Sequence, residues 1–195
     1  MTKRIIGLTG GIATGKTTVA NYLASTYNLP IFDADVYARD AVSVGSPILQ
    51  EIAQRYGEQI LLPDGNLNRQ KLGEIIFNNP DERNWVEGVI HPDVRQRFLE
   101  AIASSPAQTL VFVVPLLFEA GITQLVTEIW VVTCSEKQQL ARLIQRNNLT
   151  LEQAQARINS QMPIAEKASR ANVVLDNSST LEALIQQIEA AIIHQ

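Results

Sequence analysis

The sequence holds a single cysteine, Cys134, so no disulfide can form within the chain, and a reducing, cytoplasmic setting is the expectation. No apolar run approaches the length needed to cross a bilayer. The first residues enter a strand-like segment with no signal-peptide apolar region, so neither a membrane partner nor export is expected. There is no internal repeat and no low-complexity tract. Positive charge is not in excess: 16 Lys and Arg face 20 Asp and Glu, a net charge of −4. That balance argues against a general nucleic-acid binder, while a local basic patch can still serve a phosphorylated small molecule. What remains is 195 residues, 46% hydrophobic and 18% charged, enough for one substantial core with small insertions.

The most informative stretch is Gly10-Gly11-Ile12-Ala13-Thr14-Gly15-Lys16-Thr17, which fits G-x-x-x-x-G-K-[ST], the phosphate-binding P-loop. Arg4 to Thr9 precedes it as a short, mostly apolar run that reads as a buried strand. Val19, Ala20, Leu23 and Ala24 follow it at helical spacing. The motif therefore has its strand–loop–helix context. Gly10, Gly11 and Gly15 allow backbone angles and close approach that side chains would block. Successive N–H groups, here through Thr18, can then curl around phosphate oxygens at the positive end of the helix. Lys16 supplies a point charge to the β- and γ-phosphates, and the Thr17 hydroxyl is placed to ligate Mg²⁺. The implied ligands are ATP and Mg²⁺.

Asn28 and Pro30 end the first helix, and Pro30-Ile31-Phe32 reads as a second strand leading to Asp33-Ala34-Asp35. If that strand is parallel to the first and beside it, both carboxylates lie beyond the carboxyl end of the sheet, near the loop. In an extended segment Asp33 and Asp35 point the same way. One can accept a proton from an attacking hydroxyl; the other can hold Mg²⁺ through water or bind substrate. Asp35 also suits an N-cap.

No strong strand appears between residues 34 and 108. The segment is helical, broken at Gly45-Ser46-Pro47, Pro63-Asp64-Gly65 and Asn78-Asn79-Pro80. So long a crossover implies a helical insertion carrying the acceptor. Arg69 and His91 are candidates to meet an anionic substrate, with His91 equally readable as a helix-boundary histidine. Arg83, Arg95 and Arg97 read as solvated helix surface.

Thr109 to Val114 is a continuous apolar run suited to a strand covered on both faces. The aspartate that commonly ends this strand in P-loop proteins is lacking; Pro115-Leu116 stands there. Asp33 or Glu119 is the candidate replacement. Glu128 to Thr133 forms a fourth strand. Ser135 to Gln138 and Thr150 to Gln153 both fit capping boxes, bracketing a break at Asn147-Asn148. The first of these helices carries Arg142 and Arg146 on one side. The pair has the anatomy of a closing lid, with arginine aimed at the phosphates. Asn172 to Asp176 forms a fifth strand. Ser179 to Glu182 is a third capping box, opening an amphipathic terminal helix.

Taken together these stretches resemble the dephospho-CoA kinase family over nearly the whole chain. The resemblance rests on the loop, on Asp33-Ala34-Asp35 with Ala38-Arg39, and on Asp64-Gly65 with Leu67-Asn68-Arg69. It continues through Ile90-His91-Pro92, Val114-Pro115-Leu116-Leu117-Phe118-Glu119, Gln138, Arg142, Arg146 and Asn177. It implies a P-loop NTPase-type three-layer α/β/α fold with a five-stranded parallel sheet, a helical substrate-binding insertion and a helical lid. Residues 1–35, 106–137 and 163–195 would form the nucleotide core, 36–105 the CoA-substrate subdomain and 138–162 the lid. It implies γ-phosphoryl transfer from ATP to the ribose 3′-hydroxyl of dephospho-CoA. Asp33 would be the base, Lys16 would stabilise the transition state and Arg142 would act from the lid. Asp33, Asp35, Arg69, His91, Pro115 and Leu116 would face the substrate. Thr17 would bind Mg²⁺ directly and Asp33 through water. The family's usual Ala-Asp and Asn-x-Gly are replaced by Ala171-Asn172 and Asn177-Ser178-Ser179. Competing readings are a nucleoside monophosphate or shikimate-type kinase and a GTP-binding switch. The last lacks its guanine-reading Asn-Lys-x-Asp here.

Overall fold

A computed structural model describes residues 3–193; the ends of the expected core, 1–2 and 194–195, lie outside them. In chain order the elements are β1 (Arg4–Gly10), α1 (Lys16–Tyr27), β2 (Ile31–Asp33), α2 (Ala34–Ala41), α3 (Pro47–Tyr56), α4 (Arg69–Asn78) and α5 (Pro80–Ser104). There follow β3 (Thr109–Val113), β4 (Glu128–Thr133), α6 (Glu136–Asn147), α7 (Leu151–Asn159), α8 (Ile164–Ser169), β5 (Val173–Asp176) and α9 (Leu181–Ile193). The chain divides into two units: residues 1–33 with 104–195, and residues 34–103.

The first unit is built on a five-stranded sheet ordered β2-β3-β1-β4-β5, parallel at every pairing. Its central strands are continuous apolar runs because both faces are covered. Ile6, Leu8, Val111, Val113, Trp130 and Val132 alternate onto one face and pack with Val19 and Leu23 of α1 and Leu184 and Ile188 of α9. On the opposite face Leu117 and Val126 approach Gly7 so closely that a Cβ there would lie 3.0 to 3.1 Å from them. Each fully buried aliphatic or aromatic side chain in this core contributes about 1.5–3 kcal/mol. Asn172 extends the β4–β5 pairing: its side-chain oxygen accepts from Ile129 N–H at 2.8 Å, and its own N–H donates to Ile129 O at 2.9 Å.

One expectation about the sheet needs correction. β2 pairs with β3, not with β1. A chain whose second strand crosses to the edge leaves room for a later strand in between, and β3 takes that place. Asp33 is level with Val113, which is level with Leu8, so the two outer backbones stand about 10 Å apart at the usual strand spacing.

The second unit is helical apart from its turns and an isolated antiparallel bridge between Leu61 and Leu67, as its breaks foretell. Ser46 caps α3 by accepting from Leu49 N–H, and Asn68 caps α4 by accepting from Lys71 N–H. Its core gathers Val42, Leu49, Ile52, Ile60, Leu67, Leu72 and Val86. α5 runs unbroken through Pro92, so the exposed His91 is mid-helical and not a boundary residue.

The caps also refine the expectations. Thr150 and Gln153 form a full reciprocal capping box. Ser135 accepts from Gln138 N–H, but the Gln138 amide donates to Ser178 O at 2.9 Å and its oxygen accepts from the Ser135 hydroxyl at 2.8 Å in place of the cap's backbone N–H. The terminal helix starts one residue later than its box implies: Thr180, not Ser179, accepts from Ala183 N–H.

Candidate active site

β1 ends at Gly10, and the loop that follows is held by side chains from three later segments. Gly10 has φ 147° and lies so near β4 that a Cβ would stand 2.3 Å from Val132 O. Ala13 is left-handed at φ 60°, a conformation that costs a non-glycine residue about 1–2 kcal/mol. Gly15, at φ 107°, precedes α1. Thr14 is fully buried, and its hydroxyl donates to Gly11 O at 2.9 Å. The Lys16 ammonium rests on Gly11 O at 2.7 Å and Gly10 O at 3.1 Å, so the charge is folded over the loop. Thr17 and Thr18 are exposed at the start of α1.

The outer side of the loop is gripped at three points. Gln139 of α6 donates its amide to Ile12 O at 2.9 Å. Asn177, after β5, donates to Thr14 O at 2.8 Å. Gln161, after α7, accepts from Ile12 N–H at 2.8 Å. A cavity of about 240 Å³ lies beside the loop, lined by Gly11, Gln139, Ile158, Gln161, Met162 and Ile164 among others.

Asp33 closes β2 and is partly exposed. α2 begins at Ala34, so Asp33 and Asp35 are not two positions of one extended segment. Asp35 is an exposed residue of the first helical turn and not the N-cap.

Arg142 donates through Nη2 to Asn177 O at 3.2 Å, while its Nη1 is buried and without a hydrogen-bond partner. A buried guanidinium nitrogen left unsatisfied marks a place where an anion or a base edge would complete it. Arg142 also lies beside Cys134, whose thiol is pushed up by burial despite the nearby positive charge. Arg146, one turn on, is exposed and donates to Asn147.

Where an aspartate would ordinarily follow β3, the Pro115 carbonyl accepts from the Thr9 hydroxyl at 3.1 Å and from the Lys167 ammonium at 2.9 Å. Leu116 beside it is exposed. Glu119, the other candidate there, is engaged by two donors. Its Oε1 accepts from Lys167 Nζ at 2.9 Å and from Met162 N–H at 3.0 Å. Burial acts to raise its pKa, but the ammonium and the two hydrogen bonds outweigh it and hold the carboxyl below its ordinary value.

In the second unit Arg69 and His91 are exposed, and Arg69 donates to Arg39 O at 3.3 Å. Arg97 is not simply solvated: it pairs with Asp93 at 2.7 Å and approaches Asp40 at 3.8 Å.

Among the described residues no group of three or more His, Cys, Asp or Glu is placed to hold a metal ion. The donor set at the loop, one threonine hydroxyl with a carboxylate at the next strand end but one, suits a cation that keeps most of its waters and is carried by phosphate.

Sequence reading passed over Gln139, Gln161 and Lys167. Gln139 carried a usable signal. It is a polar residue four positions before buried Leu143, on the covered face of its helix.

A parallel sheet with a G-x-x-x-x-G-K-T loop leaving its central strand for a helix, flanked by a strand-end aspartate and a half-buried arginine, defines a P-loop kinase. The chain belongs to the dephospho-CoA kinase family, whose model matches residues 4–183. It is 71% identical over 192 residues to the dephospho-CoA kinase of Nostoc sp., covering 98% of each chain. Its fold matches TT1252 from Thermus thermophilus with a TM-score of 0.85 at 31% identity, over 99% of this chain and 98% of that one. It matches dephospho-CoA kinase from Campylobacter jejuni with a TM-score of 0.72 at 28% identity, over 97% and 95%.

Proposed function

We infer that this chain transfers the γ-phosphoryl group of ATP to the ribose 3′-hydroxyl of dephospho-CoA, giving coenzyme A and ADP, the last step of coenzyme A synthesis. The observation that carries this reading is the phosphate loop at the centre of the sheet with Asp33 at the end of β2, in a chain of this family.

The loop's N–H groups and the N-terminus of α1 would hold the phosphate chain. Residues Gly10 to Thr18 supply this cradle. Lys16 would leave its two carbonyls for the phosphate oxygens, a stronger charge-assisted partner. Asp33 would accept the proton of the 3′-hydroxyl as that oxygen bonds to the γ-phosphorus and the bond to the β-phosphate oxygen breaks. Arg142 would present its unsatisfied nitrogen to the nucleotide and to the charge that develops in transfer, with Arg146 joining from the same helix. A bound Mg²⁺ would neutralise phosphate charge and align the two phosphates. Thr17 would be its direct protein ligand and Asp33 would reach its water shell.

The acceptor would be recognised by Asp35, Arg69 and His91 of the helical unit and by Pro115 and Leu116 after β3. The exposure of those polar side chains supports the assignment. Residues 138–162 would act as the lid. The net charge of −4 supports a small-molecule acceptor in place of nucleic acid, and the lone cysteine supports a cytoplasmic setting. Among the described residues no helix is long and apolar enough to cross a membrane.

ADP release measured with dephospho-CoA, nucleoside monophosphates and shikimate in parallel tests the reading. Turnover is expected with dephospho-CoA and ATP. Equal or greater turnover with another acceptor, or preference for GTP, would overturn it.

A further inference from the structure

We propose that Gln139 is a positioning residue of the phosphate loop: its buried amide holds the Ile12 carbonyl and thereby turns the Ala13 N–H toward the bound phosphates. This rests on the reading that the loop takes the phosphates of ATP.

Gln139 is 4% exposed and lies on the covered side of α6. A buried amide is costly unless it is hydrogen-bonded, and this one spends a donor on Ile12 O at 2.9 Å. The peptide between Ile12 and Ala13 is trans. In a trans peptide the carbonyl and the following N–H point in opposite directions. Pulling Ile12 O toward α6 therefore aims the Ala13 N–H away from α6. Ala13 itself sits at φ 60°, where a non-glycine residue stays only if its surroundings hold it.

Two further observations fit. A Cβ on Gly11 would lie 2.6 Å from the Gln139 amide nitrogen, and Gly11 is not among the positive-φ glycines. What crowds Gly11 is thus the tip of Gln139 and not a backbone conformation. The same device recurs two residues on. Asn177 donates to Thr14 O, and a Cβ on Gly15 would stand 2.2 Å from its nitrogen, so the Gly15 N–H is aimed away from Asn177. Two amides from distant elements thus orient alternate peptides of one loop, and neither is needed to touch phosphate.

The experiment compares the wild-type chain with Gln139→Met, Gln139→Glu and Gly11→Ala. Affinities for ADP and a non-hydrolysable ATP analogue come from calorimetry, KM for each substrate from steady-state kinetics, and folding from circular dichroism. Gln139→Met keeps the volume and loses the donor. It is expected to weaken nucleotide binding at least tenfold, with KM for dephospho-CoA within twofold of wild type. Should it fail to fold, Gln139→Glu, polar and of the same size but without the donor when ionised, carries the same expectation. Gly11→Ala displaces the amide from the other side. Combined with Gln139→Met it should do no more harm than the worse single change, because both break one contact. Nucleotide affinity within twofold of wild type in a folded Gln139 variant, equal loss for both substrates, or full additivity in the double variant would each overturn the proposal. Failure of the wild-type chain to bind ATP would instead overturn the reading beneath it.

Discussion

Lys167 is fully buried, and its ammonium donates to Glu119 Oε1 at 2.9 Å. The same oxygen takes the N–H of Met162, so one carboxylate ties the segment after β3 to the segment between α7 and α8. A buried ion pair is weak evidence of net stabilisation, but breaking it from one side strands the other charge. Lys167→Met is expected to destabilise the chain by about 3 kcal/mol, read as a lowered midpoint in urea. Glu119→Gln keeps an acceptor for both donors and should cost less. An equal cost in the two variants would show that the charge pairing, and not the hydrogen bonds Gln can keep, carries the effect.

The Glu119 carboxyl is held below its ordinary value in the folded chain. A group so depressed contributes stability that is full above its unfolded pKa and is lost as pH falls through its folded pKa. Stability of the wild-type chain should therefore fall on acidification below about pH 4.5, and Glu119→Gln should flatten part of that fall. Parallel acid limbs in the two proteins would remove Glu119 from the explanation.

Glu82 offers a second, separate acid test, within the helical unit. It accepts from Arg55 at 2.7 and 2.9 Å and from the Tyr56 hydroxyl. These bonds pull its pKa down to about 2, and burial with the same partner pushes Tyr56 up to about 12. Arg55 also stacks 4.4 Å over the Trp85 ring. The stability gap between wild type and Glu82→Gln should be constant above about pH 4.5 and close as pH approaches about 2. A gap that widens on acidification would contradict the assignment.

Asp33→Asn tests the proposed base. General base catalysis contributes about 10²- to 10⁴-fold, so turnover should fall by that order while calorimetric ATP affinity stays near wild type. Turnover near wild type would show that Asp33 is not the base.

Arg142→Ala should lower turnover by an order of 10²-fold, the scale of one lost donor to developing charge, with the far-ultraviolet circular dichroism spectrum unchanged. Unaltered steady-state kinetics would take the arginine out of the mechanism.

Much of the candidate site was legible in the sequence because its chemistry is local. A phosphate loop needs its glycines, lysine and threonine at fixed spacing, and the strand before it and helix after it announce themselves in the same twenty residues. Asp33 was legible for the same reason, as a carboxylate at a strand end. The neighbour of its strand was not, because strand order depends on where β3, more than seventy residues later, inserts. The boxes at Ser135 and Ser179 were half right: a cap motif names the start of a helix, but the return bond competes with other partners, as Gln138 shows in turning to Ser178. Glu119 was open to two readings until a buried lysine was seen to occupy it.

The sequence by itself determined the phosphate loop, the five strands and most of the helices, since each depends on side-chain period and turn chemistry within a dozen residues; α8 carried no such signal. Only the tertiary structure decided what holds the loop. Gln139 and Gln161 lie 127 and 149 residues from Ile12 in the chain, and Asn177 lies 163 from Thr14. No local pattern records a contact across such distances. The sheet brings these amides together because β1, β4 and β5 run parallel and end at the same edge, where a loop rich in unpaired peptide groups must find its partners.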